Sequence, residues 1–211
     1  MRLSELTAIR LLTLLIFFPV LLTAQTFRGT QATELVPGAE EVVMSTETGL
    51  PSFVVFAEES TTIENYSRAE KQFFNLPNTA DFTILRTTTD KYGQTQVYRQ
   101  QTLNGIPIQY AYSVLHTKDG YVRHVNGVFV NNIPSGMKAG IDGESALLTA
   151  LKSLKVDPDY WSHLQFSRNY LLKPEGPGSG ERQVIKKEII KVDDDYLYAW
   201  KVELTSMQLN L

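Results

Sequence analysis

Residues 81–130 read DFTILRTTTDKYGQTQVYRQQTLNGIPIQYAYSVLHTKDGYVRHVNGVFV, and this stretch decides the fold. Polar turn signals at 90–93, 104–105 and 118–120 divide it, and Asn-Gly and Asp-Gly tolerate the positive φ angles of tight hairpins. The segments between the turns are rich in β-branched and aromatic residues, which favour strands. The stretch therefore predicts an antiparallel meander of four strands at 81–89, 94–103, 106–117 and 121–130.

The third of these strands shows a two-residue alternation. Ile108, Tyr110, Tyr112 and Val114 fall on one face, which is richly apolar, while the other face is mixed. This pattern is expected for an antiparallel meander that has one face covered. Pro107 cannot donate a ladder hydrogen bond, so it should lie near a strand start or an edge.

A short hairpin and a helix are predicted before the meander. Residues 42–44 and 52–57 are β-rich runs with a turn between them. Ser67 and Glu70 form a capping-box pattern at the start of a helix that Pro77 ends. The helix carries an apolar stripe of Ala69, Phe73 and Leu76.

A second helix and a hairpin are predicted after a turn-rich linker at 131–141. Asp142 or Ser145 can cap the helix, which runs to about Leu154. Two strands then close the chain, joined by three aspartates: 183–192 and 196–205, with Asp193, Asp194 and Asp195 between them. The predicted fold class is α+β, with two helix-plus-antiparallel-sheet units. We expect a flexible leader at 25–40, a first domain at 41–135 and a second at 136–211.

The first 24 residues are typical of a cleavable secretory signal peptide. Arg2 and Arg10 supply a basic start, and residues 11–22 are apolar apart from Thr13. This run is shorter than the roughly 20 residues that a transmembrane helix needs. We expect signal peptidase to cut after Ala24, so that the chain has no stable membrane anchor and is secreted or extracytoplasmic. The alternative is an uncleaved anchor.

Composition excludes several classes of protein. Without residues 1–24 the chain carries a formal charge of −4, so it has no broad electrostatic attraction for nucleic acid or an anionic membrane. It contains no cysteine, which excludes a disulfide framework and a thiolate zinc site. A secreted domain without disulfides weakly favours a bacterial source.

No catalytic or metal-binding constellation is predicted. His116, His124 and His163 include no pair at i, i+4 spacing, although the first two could be cross-strand neighbours; surface histidines are the favoured interpretation. The aspartates at 193–195 lack the ligand spacing of a calcium loop, which favours a solvated hairpin tip. No serine has the glycine-flanked setting of a nucleophile elbow.

Five aromatic residues of the meander suggest a possible binding platform. Their alternation favours core positions or cross-strand pairs for most of them. The five are Tyr98, Tyr110, Tyr112, Tyr121 and Phe129. No binding residue is therefore identified from the residues themselves.

The meander resembles the fungalysin/thermolysin propeptide motif. The stretch 99–107, Arg-Gln-Gln-Thr-Leu-Asn-Gly-Ile-Pro, is its specific part. Further similar stretches lie at 48–53, 87–93, 97–108, 114–116, 119–120 and 125–127. Residues 146–154 and 198–202 resemble a PepSY module, whose match is weak by itself.

The resemblance implies the pro-region of a secreted thermolysin-like zinc metalloprotease, with a propeptide meander followed by a PepSY-like, cystatin-like half-sandwich. Such a pro-region is an intramolecular chaperone and temporary inhibitor of its partner, the cognate catalytic domain, in cis. Zinc and calcium are expected only in that domain. Three alternatives stay open: a stand-alone secreted inhibitor or binding module, a fragment of a metalloendopeptidase precursor, and a small periplasmic structural module. The PepSY module is expected to be incomplete at Leu211.

Overall fold

The computed structural model of the chain describes residues 24–134, 136–137, 140–155 and 182–205. The predicted signal peptide lies outside these residues except for Ala24, and so does His163. The described elements, in chain order, are β1 (Thr26–Arg28), α1 (Thr30–Leu35), β2 (Ala39–Met44), β3 (Pro51–Phe56), α2 (Ile63–Phe73), β4 (Ala80–Thr89), β5 (Thr95–Leu103), β6 (Ile106–Lys118), β7 (Tyr121–Gly127), α3 (Gly143–Ser153), β8 (Arg182–Val192) and β9 (Asp195–Thr205).

The strands form one connected sheet in the order β1-β2-β3-β7-β6-β5-β4, with every neighbouring pair antiparallel. The predicted meander is confirmed as β4 to β7, and the predicted early hairpin as β2 and β3. The β8–β9 hairpin joins this sheet through a single parallel pair, Ile108↔Ile189. The fold is α+β, as predicted. No helix among the described residues is long and apolar enough to cross a membrane.

One face of the sheet is covered by α1 and α2, and the apolar cluster between them is the first core. Tyr66 and Phe74 bring two large aromatic side chains from the α2 segment onto the strands. Phe74 stacks on Phe129 with 3.7 Å between ring centroids. The fully buried strand valines of the first core are Val42, Val54, Val122 and Val125.

The start of α2 differs from the predicted capping box. Thr62 is the N-cap residue, and its hydroxyl accepts from the Asn65 amide at 3.2 Å. Ser67 lies inside the helix, where its hydroxyl donates to the Ile63 carbonyl at 2.8 Å. The capping prediction is wrong because the helix begins a full turn earlier, at a residue with its own capping oxygen, and Glu70 faces the sheet instead.

The predicted flexible leader at 25–40 also differs from the structure. This segment contains β1, α1 and the first two residues of β2. Ala32 and Val36 are fully buried in the first core. Prediction failed because α1 has only six residues, too few for a helical repeat to stand out from a polar background.

Strand β6 is interrupted by a bulge that reverses the predicted faces. Gln100 pairs with Tyr112, but Thr102 pairs with Pro107, so extra residues are inserted on the β6 side. Tyr110, within the bulge, has φ 63°. Beyond the bulge, Ser113 and Leu115 lie on the covered face of β6. The apolar face that the alternation predicted, which carries the tyrosines, is therefore the uncovered one.

A smaller apolar cluster, the second core, lies where β6 begins and the β8–β9 hairpin docks. Its buried residues are Leu103, Ile108, Ala111, Val130 and Ile189. Helix α3 packs on the hairpin, and Asp142 caps it by accepting from the Ser145 amide at 2.7 Å, which confirms one of the two predicted caps. The Trp200 indole donates to the Ile141 carbonyl at 2.8 Å and ties β9 to the residues before α3.

Candidate functional site

Residues 99–103, the first five of the specific part of the propeptide-like stretch, are buried in the scaffold. Arg99 and Glu70 form an ion pair whose side chains are 7% and 8% exposed. Arg99 Nη1 donates to Glu70 Oε2 at 2.9 Å, and Nη2 lies 2.6 Å from Oε1. The guanidinium also lies 4.5 Å from the ring centroid of Phe82 on β4. The pair therefore ties α2 to β5 across the first core.

Tyr66 completes this buried cluster. Its hydroxyl donates to Glu70 Oε1 at 2.7 Å. Burial, and after it the charge of Glu70, raises the pKa of Tyr66 well above its usual value, so the phenol stays protonated and remains a donor. Burial lowers the pKa of Arg99, but Glu70 and, after it, Tyr66 together outweigh this effect, and the pKa is raised. The Arg99–Glu70 ion pair and the Tyr66 hydroxyl therefore form one buried hydrogen-bonded cluster.

The two glutamines that follow Arg99 hold irregular backbone in place. The Gln101 amide nitrogen donates to the Val130 carbonyl at 2.5 Å, and its oxygen accepts from the Val130 amide at 2.9 Å. The Gln100 amide donates to the carbonyl of Ile108, in the β6 bulge, at 3.2 Å. Both side chains satisfy buried backbone groups outside the regular ladder, which would otherwise be destabilising.

Another residue of the propeptide-like stretch has a similar structural role. Gly127 lies against β6, and a Cβ at this position would overlap the carbonyl of Tyr112 and the Cα of Ser113. Close approach of two strands explains the glycine. The described part of the propeptide-like stretch thus builds a scaffold, and the sequence prediction missed Glu70 as its central partner.

The face of the sheet opposite α2 is the candidate binding surface, which we call the open face. None of the three described helices packs on it. It is aromatic and apolar at its centre, with an Arg28–Glu41 ion pair of 2.9 Å at one end and Arg86 over the Tyr98 ring at the other. The alternation and register place these side chains on it: Phe53, Val55, Tyr98, Tyr112, Val114, His116, His124 and Asn126.

The predicted aromatic platform is only partly a surface. Phe129 is buried in the first core, as favoured by its alternation. Tyr98 and Tyr112 lie on the open face, and the Tyr98 hydroxyl donates to Gln96 at 2.8 Å. Tyr110 is 73% exposed, because the bulge turns it out of the ladder. The structure does not bring the five residues together on one face.

His116 and His124 are cross-strand neighbours, as the sequence suggested. They are directly paired between β6 and β7, and their rings stack with 3.8 Å between centroids. Partial burial is the main cause that lowers the pKa of each ring below its ordinary value. The neutral form of both imidazoles is therefore favoured at the centre of the open face.

The remaining candidates show no ligand geometry. Asp193 has φ 54° in the turn between β8 and β9, consistent with the hairpin tip that was favoured over a calcium site. Among the described residues, no group of three or more histidine, aspartate or glutamate side chains could hold a metal ion.

Comparison with known families matches one segment of the chain. Residues 80–129 match the family model described as the Fungalysin/Thermolysin Propeptide Motif. This segment covers about a quarter of the chain and runs from the start of β4 to just beyond β7. No curated protein matches the sequence significantly.

Proposed function

We propose that the chain is the pro-region of a secreted thermolysin-like zinc metalloprotease, and that it assists folding of the catalytic domain and blocks it until removed. The match of residues 80–129 to the propeptide motif carries this proposal. The buried contacts of Arg99 and Gln101 support the proposal, because these residues stabilise the scaffold from the core side. The open face on the other side of the sheet is then available for a partner.

The proposal includes an order of segments along the chain. Residues 1–24 are the signal peptide, with cleavage after Ala24, which directs a bacterial precursor out of the cytoplasm. The propeptide domain extends to about residue 135, and residues 136–211 form a PepSY-like half-sandwich. Zinc and calcium belong to the catalytic domain, which is the partner in cis.

The open face suits a protein partner rather than a small charged ligand. Protein interfaces are depleted of charge at their centre and enriched in aromatic side chains. The centre of the open face has Phe53 and Val114, and its charges lie at the two ends, where Arg86 covers the Tyr98 ring at one of them. Binding of such a preformed surface to a late, β-rich folding transition state would accelerate folding of the catalytic domain.

Inhibition in trans tests the proposal. Purified residues 25–211, at micromolar excess, are expected to suppress cleavage of a peptide substrate by the cognate catalytic domain and to raise its refolding yield. Absence of both effects would contradict the proposal. Inhibition without any gain in refolding yield would favour a stand-alone secreted inhibitor instead.

A matched pair of variants locates the surface. Val114→Lys puts a charge on the half-buried centre of the open face, and we expect inhibition to weaken by at least about tenfold. Leu148→Lys makes the same kind of change on the exposed side of α3 and should leave inhibition unchanged. Circular dichroism checks that both variants are folded. Equal inhibition by the two would show that the open face is not the contact surface.

A further inference from the structure

The stacked histidines lie where strands β6 and β7 pair within the sheet. His116 on β6 and His124 on β7 are directly opposite each other. In the strand order, β7 is the link between β1–β3 and the β6–β5–β4 side. Stacked neutral imidazoles attract one another, whereas two imidazolium ions with centroids 3.8 Å apart would repel. The protonation state of this pair therefore acts on the contact between the two halves of the sheet.

The groups that face the pair offer little compensation for positive charge. His116 Nε2 lies 3.2 Å from Asn126 Oδ1, and the Phe53 ring lies 5.8 Å from His124. The directly paired residues on the outer strands are uncharged, Gln96 on β5 and Val55 on β3.

The carboxylates near the histidine pair are paired with arginines, and the remaining charged group is positive. Glu41, one strand beyond Val55, is bound to Arg28. Glu58 lies 3.6 Å from Arg123, the neighbour of His124. Lys118 is two residues from His116 on β6 and, being positively charged, cannot compensate an imidazolium. Among the described residues, no carboxylate makes an ion pair with either ring.

We propose that the His116–His124 pair is an acid-sensitive switch, whose protonation loosens the β6–β7 pairing and weakens the fold. Burial lowers the pKa of each ring, and His116 lowers that of His124 further. The unfolded chain then binds more protons than the folded chain at pH values below the ordinary histidine pKa of about 6.5. Stability is therefore fully present above that pH and is lost as the pH falls.

The size of the effect has an upper limit. At pH 5.5, an imidazole that stays neutral only in the folded state lowers the folded-to-unfolded ratio by about tenfold, and two such imidazoles lower it by up to about 100-fold. Carboxylates titrate mainly at lower pH, so the interval from pH 7.5 to 5.5 isolates the histidines.

Urea unfolding of the full chain at pH 7.5 and 5.5, followed by circular dichroism, tests the switch. We expect the folded-to-unfolded ratio to fall by about 5- to 100-fold more in the wild type than in the double variant His116→Gln/His124→Gln. His163→Gln is the control for loss of a histidine elsewhere in the chain and should keep the wild-type response. An equal response of the wild type and the double variant, or its disappearance in His163→Gln, would overturn the proposal.

Direct titration keeps the proposal testable if the double variant does not fold. The imidazole proton resonances of wild-type His116 and His124 should both titrate below pH 6.5. A midpoint at or above this value for either ring would also overturn it. A role of the switch in releasing a bound protease would rest on the proposed function, but both measurements use the chain alone. An acid response without any protease inhibition or gain in refolding yield would support the switch and contradict the proposed function.

Discussion

The first and second cores of this protein are held together in different ways. The first core joins α1, α2 and, with its partly buried members, seven strands, and it contains a buried ion pair and a stacked pair of aromatic rings. The second core is smaller among the described residues and apolar, and it connects the β8–β9 hairpin to β6 through the register pair Ile108↔Ile189. The first core thus depends on specific polar partners, whereas the second depends on apolar burial at a few positions.

The segment that matches the propeptide motif contributes buried residues to both cores. Ala80, Leu115 and Phe129 belong to the first core, while Leu103 and Ile108 belong to the second. The signature in this segment therefore constrains how the two cores meet. Its polar residues are explained by the geometry of the scaffold without a catalytic role.

The largest effect is expected from breaking the buried ion pair of the first core. Arg99→Met keeps most of the side-chain volume but leaves the Glu70 carboxylate buried without its cation. We expect a loss of about 3–5 kcal/mol in the free energy of unfolding, measured by urea denaturation at pH 7.5. Arg68→Met, which removes the exposed pair with Glu64 on the same helix, should cost less than about 1 kcal/mol.

The double variant Arg99→Met/Glu70→Leu sharpens this result. It removes both charges, so it should recover a large part of the lost stability. If Arg99→Met costs no more than Arg68→Met, the ion pair does not organise the first core, and the contrast between the two cores would fail.

The next effect should fall on the second core alone. Ile189→Ala removes a fully buried side chain and is expected to cost about 2–5 kcal/mol locally. Hydrogen exchange should show faster exchange of β8 and β9 amides with β2 and β3 unchanged. Leu197→Ala, on the exposed side of the same hairpin, is the control and should leave exchange nearly unchanged. Faster exchange throughout the sheet would show that the two cores form one cooperative unit.

The smallest effect tests the link between the cores. Gln101→Met leaves the buried amide and carbonyl of Val130 without their partner, at a cost of about 1–3 kcal/mol. Gln94→Met, at an exposed turn position, should change the free energy of unfolding by less than about 0.5 kcal/mol. Equal urea midpoints for these two variants would mean that water or local rearrangement replaces the glutamine contacts.

Local features of the fold were predictable from the sequence. The turns of the meander could be predicted because Asn-Gly and Asp-Gly tolerate positive φ angles, which Asn104 and Gly105 adopt here. The Asp142 cap was found for a similar reason, since its oxygen acts within three residues. The resemblance of 99–107 likewise pointed to the segment that the family comparison matches.

Features that depend on distant partners were not predictable. Glu70 and Arg99 lie 29 residues apart, and their residue types show charge but not which group neutralises it. Ser67 and Glu70 match a capping pattern by their spacing alone, which does not exclude the cap at Thr62 five residues earlier. Tyr110 gives no sign of a positive φ, since its side chain disfavours that conformation. The bulge around Tyr110 sets which side of β6 is covered, so the alternation alone assigned the open face wrongly.

The pairing of Ile108 with Ile189 has a consequence for the entropy of the chain. This contact closes a loop of about 80 residues without any disulfide, whereas Gln101 and Val130 are 29 residues apart. Because loop-closure entropy grows only with the logarithm of length, the longer loop costs only about 1 kcal/mol more. The length of the connection therefore contributes little to the free energy that holds the β8–β9 hairpin on β6. The free energy gained by burying one isoleucine is larger than this cost.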